Sequence, residues 1–199
     1  MAHETELKFI DADFSSLRKC LAGLGAKSLG RHVERNMVFD TPERTLRQAH
    51  TLLRLRSQQW KDRQATLLTL KCPPSAPVPQ DVKVYDERET AVDDFNAMRS
   101  VLEGLGYGVA FLYEKLREEW RLPGVEICLD TMPFGHVVEL EGERDAILAC
   151  ARQLGLSMDK ASRATYHELN RQWRLAEGLA PDESFCFPPQ RLHELIKGL

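Results

Sequence analysis

Charged side chains recur at every second position in one stretch of this chain after another, and that pattern limits what it can fold into. Glu4, Glu6 and Lys8 alternate with other residues, as do Lys83, Tyr85, Glu87 and Glu89. Arg54 and Arg56 alternate with Leu53 and Leu55, and Thr69 and Lys71 with Leu68 and Leu70. Lys115, Arg117, Glu119 and Arg121 face away from Leu116, Trp120 and Leu122; Glu139 and Glu141 face away from Val138 and Leu140. In a strand, side chains two apart share a face about 6–7 Å apart. Two arrangements fit. One is an antiparallel sheet whose charged faces meet solvent. The other is a closed barrel of about eight strands, with a polar lumen and with its apolar faces turned outward under helices.

A lumen of this composition would mix carboxylates with Lys and Arg. Paired glutamates suit hard divalent cations such as Mg²⁺ or Mn²⁺. Arg and Lys suit phosphates, Arg with a bidentate fork. A metal-bound polyphosphate satisfies both sets, although the spacing alone is suggestive and not specific.

Composition narrows the alternatives. The 199 residues carry 27 Lys and Arg against 30 Asp and Glu, a formal charge of −3. No global field gathers nucleic acid or anionic membrane, and the exposed aromatics and basic excess of an RNA-binding barrel are missing. The longest stretch without a charged residue, Gly104 to Tyr113, is far short of the about 20 residues of a spanning helix. The Met1-Ala2-His3-Glu4 start has neither a basic nor an apolar leader region, and the five cysteines form no CxxC pair. The expectation is a reducing, cytoplasmic setting without disulfides.

Helices are predicted at Asp13–Leu24, Asp93–Gly104, Glu143–Gly155 and Ser162–Ala176, with a short last helix in the tail. Ser28 to Asp40 reads as extended and Gly106 to Leu122 as one long strand. Four prolines between Cys72 and Gln80 exclude a central strand there and predict a mobile loop.

The order of motifs resembles the CYTH superfamily, the triphosphate tunnel metalloenzymes, which include class IV adenylyl cyclases, thiamine triphosphatases and inorganic triphosphatases. Glu4-Thr5-Glu6-Leu7-Lys8 is similar to its ExExK signature, and Phe39-Asp40-Thr41-Pro42 to its FDTP segment. Leu53-Arg54-Leu55-Arg56 resembles LRxR, Leu68-Thr69-Leu70-Lys71 resembles LTxK, and Lys115-Leu116-Arg117 resembles KxR. Leu129-Asp130 followed by Gly135 to Glu141 is similar to LDxxxxLGxFxEIE, with Val137 where the aromatic stands. Tyr166-His167-Glu168-Leu169 matches the closing SYxEL, with Thr165 in place of serine. The match spans residues 3 to about 170. A domain of residues 1–175 and a tail of 176–199 docked on it are expected.

The resemblance implies an α+β fold: an eight-stranded antiparallel β-barrel, the tunnel, with amphipathic helices outside. It implies a divalent-metal-dependent enzyme acting on a small-molecule triphosphate such as ATP, thiamine triphosphate or tripolyphosphate. The reaction would be that of a class IV adenylyl cyclase or of a triphosphate hydrolase. The alternative is a non-catalytic nucleotide- or polyphosphate-binding module. By similarity, Glu4, Glu6, Glu139 and Glu141 are metal ligands for Mg²⁺ or Mn²⁺, with Asp130 and Glu89 as further candidates. Lys8, Arg54, Arg56, Lys71, Lys115 and Arg117 bind the phosphates, with Lys160 as a weaker candidate, and Lys8 joins the four glutamates as catalytic. Glu87 would position the bases. Lys83 and Tyr85 are expected as rim or structural residues, His136 in a solvated turn, and Cys72 and Cys128 as buried or inert thiols. Arg54 and Arg56, both aimed inward, would repel one another until an anion lies between them. No nucleic acid or membrane partner is expected, and a homodimer is compatible with the sequence.

Overall fold

The structure is a computed structural model that describes residues 2–199, with side chains from residue 4 onward. Strands β1 (Ala2–Ile10), β2 (Lys27–Asp40), β3 (Leu52–Gln59), β4 (Gln64–Cys72), β5 (Lys83–Ala91), β6 (Gly108–Leu122), β7 (Val125–Met132) and β8 (Gly135–Gly142) form one antiparallel sheet. Its order is β5-β4-β3-β2-β6-β7-β8-β1. Pairing of β1 with β5, Glu6 opposite Lys83 and Glu4 opposite Tyr85, closes it into an eight-stranded barrel. Past Glu6, a two-residue strand β9 (Ala161–Ser162) takes over the place beside Lys8 and Phe9.

The alternating faces decide the packing. Leu7, Phe9, Ile127, Leu129, Val138 and Leu140 point outward, under helices α1 (Phe14–Gly23) and α4 (Arg144–Gln153). Phe14, Leu17 and Leu21 of α1 and Ile147, Cys150 and Ala151 of α4 complete this core. Helix α3 (Phe95–Gly104) sets Leu102 over Phe39, Leu53 and Leu55. The charged faces are therefore inside, and the barrel arrangement is the one adopted. Asp13 and Asp94 cap α1 and α3 as their sequences predict. Helix α5 (Tyr166–Ala176) starts four residues later than predicted, because residues 161–162 pair with β1 and Thr165 forms a capping box with Glu168.

Two further features depend on local geometry. The β2–β6 seam shifts register between Ser28 and Gly30, where Gly30 has φ +95°, and the bulge helps the long strand to curve. Gly142 ends β8 because a Cβ there would sit 2.3 Å from the Gly124 carbonyl oxygen. Asp40 does more than terminate a strand. Its carboxylate accepts N–H bonds from Thr41, Leu46 and Arg47 and so organises the short helix α2 (Thr45–Gln48), which the sequence had not suggested. The last residues return to the barrel: Phe185 exchanges backbone bonds with Leu112 and Glu114, and helix α6 (Pro189–Lys197) lays Leu195 beside Phe187 and Val33. Among the described residues, no helix is long and apolar enough to cross a membrane.

Candidate active site

The barrel encloses a cavity of about 500 Å³, and the inward faces of the strands line it. Antiparallel register places acids opposite bases: Lys8 faces Glu139, Glu6 faces Lys83, Lys71 faces Glu87, Arg117 faces Asp130, and Glu34 faces Lys115. The side chains join these pairs into a chain of alternating charge. Arg56 Nη1 lies 3.2 Å from Glu34, whose other oxygen lies 3.4 Å from Lys115 Nζ. Lys115 is 3.2 Å from Asp130, and Asp130 accepts a two-pronged bond from Arg117 at 2.8 and 2.6 Å. Arg117 also donates to Glu139 at 2.6 Å; Glu139 and Glu6 flank Lys8 at 2.5 and 2.6 Å.

Burial makes these contacts strong, because charges removed from water interact at low effective dielectric. Burial by itself would strip the proton from Lys8, yet Glu139 and Glu6 hold it protonated well above the ordinary lysine range. Burial would likewise raise Glu139, but Lys8 and Arg117 hold it well below the usual carboxylate range. Glu141 behaves differently: burial and the adjacent Glu139 charge push it well above that range. Burial and a hydrogen bond shared with Glu4 raise Glu87 to about 7.

The acids divide into two kinds. Single oxygens of Glu4, Glu6 and Glu141 lie within 4.8 Å of one another, and so do donors of Cys128, Glu139 and Glu141. Three carboxylates converging in a lumen are hard oxygen donors of the type that holds Mg²⁺ or Mn²⁺, so the residues present fit such an ion. Asp130 stands apart from that group. Its carboxylate is taken up by Lys115, Arg117 and the Tyr166 hydroxyl, and it holds bases in place. Glu89 is one-third exposed and accepts a 2.6 Å bond from Thr69, with Arg54 at 3.8 Å. Cys128 is buried, its thiol pushed well above the ordinary value by burial.

The basic residues named from sequence converge on the cavity, with one exception. Lys8, Arg54, Arg56, Lys71, Lys115 and Arg117 all line it; Lys160 is exposed in the turn before β9 and does not. Arg54 and Arg56 each have acceptors of their own, while the buried Arg54 Nε has no hydrogen-bond partner. Arg54 donates to Tyr113 and Thr69, and Arg56 to Asn36 and Glu34. Lys71 pairs with Glu4 and, at 3.2 Å, with Glu87, the positioning contact expected for Glu87. Lys83 reaches inward to Glu6 at 3.3 Å. His136 stacks on Phe14 with ring centres 4.3 Å apart.

Sequence reading missed Glu34, Asn36, Tyr113 and the lumenal role of Tyr166, whose ring lies 4.9 Å from Lys8 Nζ and 5.1 Å from Lys115 Nζ. The signal was present: His32, Glu34 and Asn36 alternate in β2 as the other charged residues do, and Tyr113 lies two positions before Lys115 on the inward face of β6.

Comparison with known proteins agrees with this geometry. A proposed adenylate cyclase of Methanocaldococcus jannaschii is 25% identical over 177 residues, covering 83% of this chain and 97% of its own. The structure of a proposed adenylate cyclase from Vibrio parahaemolyticus superposes with a TM-score of 0.74 at 24% identity, over 84% of this chain and 97% of that one. A Hippeastrum protein, described as a proposed adenylyl cyclase with a dominant triphosphatase activity, shares the fold with a TM-score of 0.60 at 17% identity, over 92% and 99% of the two chains. The CYTH domain model matches residues 2–166, and the chain belongs to the CYTH domain family.

Proposed function

We propose that the barrel is the active site of a divalent-metal-dependent enzyme that takes a small-molecule triphosphate into its lumen. The observation that carries this reading is the separation of charge in one enclosed cavity: three convergent carboxylates beside a set of buried bases held at fixed positions by their own counter-ions. Glu4, Glu6 and Glu141, with Glu139 beside them, would hold Mg²⁺ or Mn²⁺, which would neutralise phosphate charge and acidify a bound water.

The chain's own residues do the positioning. Arg56 of β3 and Lys115 and Arg117 of β6, on either side of β2, present donors to phosphate oxygens, while Arg54 and Lys71 extend the basic wall. Phosphoryl transfer asks little covalent chemistry of a protein, and fixed donors that meet developing charge supply most of the acceleration. Water attacking the terminal phosphorus makes the protein a triphosphate hydrolase. A ribose 3′-hydroxyl attacking the α-phosphorus, with pyrophosphate leaving, makes it a class IV-type adenylyl cyclase.

Product analysis with ATP, tripolyphosphate and thiamine triphosphate, each with Mg²⁺ and with Mn²⁺, tests the proposal. Cyclic AMP with pyrophosphate identifies a cyclase, and inorganic phosphate identifies a hydrolase. Tight binding without turnover under every condition overturns the enzymatic reading and leaves a polyphosphate-binding module.

A further inference from the structure

We propose that Glu34 is a positioning residue that sets the geometry of Arg56 and Lys115 from within the tunnel wall, an inference that rests on the triphosphate reading of the lumen.

Glu34 is fully buried in β2 and is not a member of the convergent Glu4, Glu6 and Glu141 group. Its four polar neighbours fall into two kinds. His32 Nε2 at 3.1 Å and Gln58 Nε2 at 3.2 Å lie outside the basic set, and Gln58 itself lines the cavity. Behind them His32 packs on Trp60, with ring centres 4.5 Å apart, and Trp60 is itself covered by the Arg63 guanidinium. Arg56 Nη1 at 3.2 Å and Lys115 Nζ at 3.4 Å belong to the basic set that lines the cavity. His32, Gln58 and Arg56 thus meet one carboxylate oxygen and Lys115 lies against the other, so the carboxylate ties two cavity-lining bases to neighbours that hold it in place.

An acid at this position works against anion binding, since it competes with phosphate for the same donors. Its presence needs a compensating reason, and the crowding of bases provides one. Arg56 and Lys115 lie in a desolvated lumen where like charges repel strongly. A carboxylate between them sets their separation and rotamers before substrate arrives, and binding then costs little reorganisation. Asp130 has the corresponding place between Lys115 and Arg117. Lys115 therefore has one fixed anion on either side, and Glu34 is the partner that the motifs do not include. Burial opposes its charge, but Lys115 and a bond from His32 keep it ionised well below the usual carboxylate range.

Positioning predicts a particular split of kinetic effects. Glu34→Gln removes a negative charge from the basic wall, so affinity for tripolyphosphate is retained or rises. The bases lose their set positions, and a displacement of about 1 Å at reacting groups costs on the order of 100-fold. The expected result is a kcat lower by about 10- to 100-fold with KM unchanged or reduced. In an Arg56→Ala background the same substitution has a smaller effect, because one of the two bases through which it acts is gone. Glu34→Asp keeps the charge but pulls the carboxylate back. It carries the kinetic test if the glutamine variant does not fold, with the same fall in kcat at constant KM.

The measurements are steady-state kinetics on whichever triphosphate wild type turns over, titration calorimetry with tripolyphosphate, and melting temperature. Unchanged kcat in a folded variant overturns the inference, as does full additivity with Arg56→Ala. A raised KM at constant kcat makes Glu34 a binding determinant and also overturns it. Wild-type protein that neither binds nor converts any of the triphosphates instead overturns the reading of the lumen on which the inference rests.

Discussion

The two halves of the lumen treat buried charge in opposite ways. Around Lys115, two bases besides it meet two acids: Arg56 and Arg117 are each tied to it through Glu34 or Asp130, at 2.6 to 3.4 Å. Around Glu141 the acids converge on one another, and the nearest Arg117 nitrogen is 3.8 Å away. Each charge of the first region has an opposite charge within 3.4 Å without a ligand. The second carries one carboxylate, Glu141, pushed upward by burial and by Glu139, the mark of an acid short of positive charge. The contrast teaches that opposed charges here serve two purposes. Closed pairs fix geometry, and the open cluster offers coordination.

Breaking the open cluster should have the largest effect. Glu141→Gln resembles the protonated residue, so the fold and its melting temperature persist, while turnover falls to background; excess EDTA does the same to wild type. Substantial activity in either case removes the distinction between the two regions.

Breaking the closed region should instead destabilise the fold. Asp130→Asn leaves Arg117 and Lys115 short of a counter-charge at a fully buried site, which costs about 3–5 kcal/mol. For a chain of this size that lowers the melting temperature by roughly 6–20 °C. A shift near zero would mean that Asp130 is not the anchor of this half.

Acid sharpens the same point. Glu34 has a folded-state pKa below the ordinary 4.5, so the unfolded chain binds its proton more readily. Its stabilising contribution is complete above about pH 4.5 and fades as pH falls through the folded value. The stability advantage of wild type over Glu34→Gln, read from melting curves, should therefore shrink from pH 6 towards pH 3. An advantage that grows with acid contradicts the assignment.

Arg56→Ala tests both purposes at once. From sequence, loss of one of two facing arginines relieves repulsion and leaves the empty protein unharmed. With Glu34 and Asn36 as its partners, the structure predicts instead a lower melting temperature without ligand. The variant should also lose most of the thermal shift that tripolyphosphate gives wild type. An intact shift would place Arg56 outside the phosphate path. The smallest effect belongs to Glu89→Gln. Its pairing with Arg54 is long and partly exposed, worth about 0–1 kcal/mol. KM should then move by less than about fivefold; a complete loss of activity would return Glu89 to the metal set.

Strand periodicity alone reported which residues share a face, because side-chain direction in a strand follows position and nothing else. That was enough to group Glu4 with Glu6, Arg54 with Arg56, and Lys115 with Arg117, and the helix caps at Asp13 and Asp94 were equally local. Which face turned inward was not local. It was settled by where helices α1, α3 and α4 could bury their own apolar stripes, and by the closure of β1 on β5. The partners of each charge were also decided by closure. Register across non-adjacent segments set Glu34 between Arg56 and Lys115, gave Asp130 to the bases and brought Glu141 to Glu4, and it left Lys160 outside. A sequence fixes the period of each strand. The stagger between strands, and therefore which acid meets which base, comes only from the packing that closes the barrel.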